Sequence, residues 1–178
     1  MALIRPATRP AGLLCRFPSG ALRPVDPVFL PEEPLYRGFS SLDRANDRFP
    51  GVAFVFDKGC SLNRGKYAQP EDFLFDHPNL GIMEIKVATV PKQIPVEAGL
   101  YVFKLVHLPL ETPFENYSHS EIQCCKDGSD QLIEPPKSVK KQFRSVIDDL
   151  LPNEALVLRE PTDAHVGAFG ESTRTATE

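Results

Sequence analysis

The chain has 178 residues, enough for one domain with extensions. Its net charge of −4 provides no basic footprint for nucleic acid. No apolar run approaches the ~18–20 residues that span a bilayer, and the N-terminus lacks the roughly 7–15-residue apolar core of a secretory signal.

Eighteen prolines, about twice the average usage of ~5%, argue against a helical bundle and for short strands joined by loops. Four cysteines (Cys15, Cys60, Cys124 and Cys125) form no C-x-x-C pattern. Adjacent cysteines on a strand point to opposite faces, so Cys124 and Cys125 are poorly placed to bridge each other. All four are expected as free thiols in a reducing, cytoplasmic compartment.

Met1 to Pro27 carries four arginines, five prolines and a single acid, and is expected to be a disordered or over-extended segment outside the fold. A single α+β domain is expected over residues 28–160. Leu35–Phe39 reads as a short strand with Leu35, Arg37 and Phe39 on one face and Tyr36 and Gly38 on the other. An arginine between two buried neighbours needs a partner, either a carboxylate or an anionic ligand.

Gly51–Phe56 is a continuous apolar run of strand type. Cys60 to Tyr67, bounded by glycines and carrying two cations, matches no phosphate-loop pattern. Pro70–Phe75 opens with proline and then acids, a helix-start signature good for one or two turns. Gly81–Ala88 is a strand with Met83, Ile85 and Val87 inward, and Leu100–Leu108 is a second, rich in aromatic and β-branched residues.

Ser120 to Cys125 is the third strong strand. Ser120, Ile122 and Cys124 share its apolar face, and His119, Glu121, Gln123 and Cys125 share the other. After two prolines, Lys137 to Leu151 places Val139, Phe143, Val146, Ile147 and Leu150 at helical spacing, so one face docks on the sheet. Ala155–Arg159 reads as an edge strand, and residues 161–178 as a polar, disordered tail. The predicted architecture is therefore a mostly antiparallel sheet with one amphipathic C-terminal helix packed on it.

The densest chemistry lies in Glu115–Cys125, which holds Tyr117, His119, Glu121 and two thiols. His107, His119 and Glu121 make a two-histidine, one-carboxylate metal set if neighbouring strands bring them together, although three polar residues on unrelated strands look the same in sequence. Cys60 beside Ser61 is the best-placed nucleophile, but nothing marks an oxyanion hole and a structural thiol is the ordinary reading. Lys137, Lys140, Lys141 and Arg144 oppose the helix dipole at the start of the last helix. They suit an anionic partner or simply a solvated face.

Arg37 on an early strand, Ser61 on a middle element and Glu121 on a late strand follow the order arginine, serine, glutamate. This arrangement resembles that of ADP-ribosyltransferase-like folds. The resemblance implies that Arg37 holds a phosphate, Ser61 braces the pocket and Glu121 orients a ribose for loss of nicotinamide, with NAD as the cofactor. Ser61 lacks the Ser-Thr-Ser setting of that family, and His119 stands where it has Glu or Gln. Without a complete catalytic set, the leading expectation is a small soluble module that binds a protein partner or a small anionic ligand and needs no cofactor. The alternative is a NAD-dependent transferase or glycohydrolase built on Arg37, Ser61 and Glu121, with Tyr36, Tyr117 and His119 as ligand-binding residues.

Overall fold

Where apolar residues alternate, the chain forms strands, and where they recur every fourth residue it forms a long helix. The computed structural model describes residues 8–41, 43, 54, 59–75, 77–96, 99–112 and 114–162. Among these, the strands are β1 (Pro34–Phe39), β2 (Cys60–Arg64), β3 (Gly81–Lys86), β4 (Gln93–Val96), β5 (Gly99–His107), β6 (His119–Lys126), β7 (Leu132–Ile133) and β8 (Leu156–Arg159). A single α-helix, α1 (Lys137–Glu154), precedes β8. No helix among the described residues is long and apolar enough to cross a membrane.

The strands form one antiparallel sheet in the order β4-β5-β6-β2-β1-β3-β8, with β7 attached to β6. β5 and β6 pair from Tyr101 opposite Lys126 to His107 opposite Ser120. The other edge of β6 is divided. β2 pairs with it over His119 to Ile122, and β7 over Cys124 and Cys125. This division makes β6 the central strand of the site described below.

One sheet face is the core. Ser120, Ile122 and Cys124 are all fully buried there, as alternation along β6 predicts. Leu35, Phe39, Leu62, Met83 and Ile85 join them from β1, β2 and β3. α1 covers this face with a stripe of Val139, Phe143, Ile147 and Leu151, while Val146 packs at its flank. The Phe143 ring lies 4.5 Å from that of Phe103 on β5. Burying such a stripe, at roughly 1.5–3 kcal/mol for each large side chain, is what fixes the helix on the sheet.

Several elements differ in extent or type from the sequence reading. α1 runs through Pro152 to Glu154, because the backbone N–H of Ala155 closes the last turn on the Leu151 carbonyl at 2.9 Å. β3 stops at Lys86, and Val87–Thr89 winds into a 3-10 turn that still buries Val87. Pro70–Phe75 is also 3-10 rather than α-helical. β8 sits at a sheet edge as expected. The expected strand at Gly51–Phe56 lies outside the described residues apart from Phe54, which is buried. The expected tail lies outside them beyond Thr162.

The reading set residues 1–27 apart from the fold, whereas residues 8–27 lie against it. Leu13 and Cys15 are buried. The Leu13 carbonyl accepts from the Tyr117 N–H at 2.8 Å, and the Cys15 thiol donates to the Leu110 carbonyl at 2.8 Å. Prolines deny this segment an α-helix, and two apolar anchors with hydrogen bonds to the fold hold it instead.

Candidate ligand site

Strand register builds the site on the sheet face opposite α1. Tyr36 on β1 pairs with Asn63 on β2, and Asn63 pairs with His119 on β6. Ser61 pairs with Glu121 one step along the same two strands. Side chains two residues apart share a face, so Tyr36, Ser61, Asn63, His119 and Glu121 all belong to this side.

A cavity of about 360 Å³ opens over these strands. Tyr36, Ser61, Asn63 and His119 form its floor, and Arg37, which shares the face of Leu35 and Phe39 along β1, borders it. Arg9, Leu13, Leu110, Phe114 and Asn116 form its rim, supplied by the N-terminal segment and the loop before β6. No carboxylate lines it among the described residues, while Arg9 and Arg37 both do. Two cations therefore border the cavity.

Arg37 is positioned by a gap in the sheet. The ladder between β1 and β2 covers only Leu35–Arg64 and Tyr36–Asn63. Where the strands part, Arg37 Nη1 donates to the Ser61 carbonyl at 2.5 Å. The partner expected for this arginine thus includes a backbone carbonyl. Asn63 is fixed from above, since Asn116 Nδ2 donates to its Oδ1 at 2.8 Å and Ser118 Oγ at 3.1 Å. Burial, with Glu84 and Glu71 nearby, raises the pKa of the Tyr36 hydroxyl, so that group is a neutral donor.

His119 is buried, and its Nδ1 lies 2.7 Å from the Leu108 carbonyl. A carbonyl only accepts, so Nδ1 carries a proton. Nε2 lies 3.9 Å from Glu121 Oε1. Glu121 itself is partly exposed, and its other oxygen accepts from Gln123 Nε2 at 3.1 Å. It lines a second cavity, of about 280 Å³, with Gln123, Leu132 and Glu134. Glu121 thus stands between two openings and meets the first through His119.

Of the six residues singled out from sequence, Tyr36, Arg37, Ser61 and His119 line the first cavity. Glu121 is the next side chain on the same strand face. Tyr117 is elsewhere. It is buried, its hydroxyl donates to the Pro24 carbonyl at 2.6 Å, and its ring meets His107 and Tyr67 edge-on at 4.9 and 4.7 Å. In this arrangement it anchors the N-terminal segment.

The structure does not assemble the metal set. His107 is the register partner of Ser120, which puts it on the core face, away from His119 and Glu121. Its Nδ1 accepts from the Asp26 N–H at 3.0 Å, and its Nε2 lies 2.6 Å from the Tyr117 carbonyl, so both nitrogens are engaged. Cys60 is fully buried, and burial pushes its thiol up to about 11, far from a thiolate at neutral pH. On α1, Lys140 pairs with Glu134 at 2.8 Å.

Sequence reasoning missed two features. One is Arg64, which is fully buried and meets Glu33 through two hydrogen bonds of 2.7 and 2.8 Å. Its guanidinium also donates to the Asp26 carbonyl at 2.8 Å and lies 3.9 Å from the centre of the Phe29 ring. The other is the contribution of Arg9 and Leu13 to the cavity, from a segment whose composition signalled nothing of the kind. The chain matches no known protein family, no curated protein and no solved structure.

Proposed function

We propose that the chain binds a nicotinamide dinucleotide in the Arg37–His119 cleft and cleaves the bond between nicotinamide and ribose with the help of Glu121. The observation that carries this reading is the alignment of Arg37, Ser61 and Glu121 on three neighbouring strands, with Ser61 in register with Glu121. The cleft's two arginines, with no lining carboxylate among the described residues, suit the pyrophosphate of such a ligand. Its volume of about 360 Å³ falls within the roughly 300–1,000 Å³ range of small-molecule sites.

In this mechanism the carbon–nitrogen bond breaks heterolytically. Neutral nicotinamide leaves with the bonding electron pair, and the ribose carbon becomes cationic. The Glu121 carboxylate stabilises that charge. Water, or an acceptor group, then adds to the carbon and gives up a proton, for which His119 Nε2 and the Glu121 carboxylate are the nearby bases. Tyr36 and Asn63 orient the ligand from the floor.

The test is thermal denaturation of the full chain with and without NAD, alongside an assay for released nicotinamide. A ligand at about 100 times its dissociation constant adds about 2.7 kcal/mol to stability, a readily measured shift. The expected result is a shift lost in Arg37→Ala, and nicotinamide release lost in Glu121→Gln. A shift without release identifies a binding module with no turnover. No shift at all rejects the ligand.

A further inference from the structure

We infer that Arg9 and Phe114 form a clamp for the base-and-phosphate end of a nucleotide at the mouth of the cleft. This deepens the NAD reading above and rests on it for the choice of ligand. Phe114 is 57% exposed yet lines the cavity. A single exposed aromatic on a surface is ordinary. This one is not isolated, because the Arg9 guanidinium lies 5.4 Å from the centre of its ring and 5.7 Å from that of Phe75.

Arg9 also donates to the carbonyl of Glu115, the residue after Phe114, so cation and ring are held by the same loop. That loop is in turn tied to the N-terminal segment by the Cys15–Leu110 and Leu13–Tyr117 hydrogen bonds. The result is a flat apolar surface beside a fixed positive charge, both open to the cavity. A flat apolar surface suits a planar base, and the adjacent charge suits the phosphates. A cavity of about 360 Å³ is too small to enclose a whole dinucleotide, so part of such a ligand lies at this mouth. The N-terminal segment, on this account, is part of the site.

The experiment measures binding of ADP and of inorganic pyrophosphate to the full chain by calorimetry, in wild type and in Phe114→Ala, Phe114→Trp and Arg9→Gln. Phe114→Ala should weaken ADP about tenfold, a modest value for one base stacked on one ring, and leave pyrophosphate unchanged. Phe114→Trp should restore ADP affinity. Arg9→Gln should weaken both ligands, more so at low salt. Because Phe114 is exposed, its variants should keep the wild-type melting temperature, which is checked in parallel. Unchanged ADP affinity in Phe114→Ala, or no ADP binding by wild type, overturns the clamp. ADP binding that depends on Phe114 in a protein that never releases nicotinamide from NAD upholds the clamp and rejects the cleavage reading.

Discussion

Glu121 Oε2 lies 2.3 Å from where a Cβ on Gly59 would sit, so the glycine before β2 leaves the space that this carboxylate occupies. The next nearest atoms are also from Glu121, its Cδ at 3.1 Å and its Cβ at 3.4 Å. Glu121 is in register with Ser61, two residues beyond Gly59. Backbone and carboxylate are therefore fitted to each other beside the proposed cleft, behind His119.

Gly59→Ala should displace the Glu121 carboxylate while costing little stability, because the end of a flexible side chain can swing aside. A displacement of about 1 Å can reduce a rate about 100-fold. NAD cleavage should fall by about that factor with the melting temperature nearly unchanged. Unaltered cleavage in this variant contradicts the role given to Glu121's position.

Arg64 and Glu33 should behave as a buried ion pair. Their side chains are 0% and 5% exposed. Removing one partner strands a charge, so Glu33→Gln should cost about 3–5 kcal/mol in urea unfolding. Replacing both, as Arg64→Met with Glu33→Met, should recover much of that loss. A double variant as unstable as the sum of the two single ones contradicts a paired role.

Stability should fall with pH in two windows. Burial lowers the His107 pKa from its ordinary 6.5, with Arg64 acting in the same direction and the hydrogen bond with the Tyr117 carbonyl, Asp26 and Glu33 acting against it. Its Nδ1 accepts from the Asp26 N–H, so the folded state holds the ring neutral. Below about pH 6.5 the unfolded chain binds a proton that the folded chain resists, and stability drops there. Asp26 acts lower. Hydrogen bonds from Lys66 and Tyr67 hold its carboxyl well below its ordinary 3.8, so its contribution is present above about pH 4 and lost as pH falls further. Urea midpoints from pH 8 to 3 should show both declines, and His107→Gln should remove the upper one. An upper decline that persists unchanged in His107→Gln assigns it to another group.

Periodicity made β3, β5, β6 and α1 legible in the sequence, because each buries one face and carries the matching repeat. The core face of β6 was readable to the residue, since alternation allows only Ser120, Ile122 and Cys124 inward once Ile122 is buried. Strand order was not readable, and it is strand order that brings Tyr36, Asn63 and His119 into a row. Arg64 was hidden because it sits in a polar stretch, and its partners Glu33 and Asp26 lie 31 and 38 residues away. Tyr117 resembled a ligand residue because sequence does not distinguish a tyrosine in a cleft from one that donates to a distant carbonyl. Docking of the N-terminal segment rests on two apolar side chains and on scattered hydrogen bonds to distant residues, among them Tyr117 to Pro24 and Lys66 to Asp26, a signal too sparse for any pattern.

The most direct test of the account is nicotinamide release from NAD by the full chain, wild type against Glu121→Gln, with ADP binding measured on both as a control for an intact cleft. The account predicts release by wild type, a loss of about 100-fold or more in the variant, and equal ADP binding. Equal release by both proteins, or none by wild type, contradicts it.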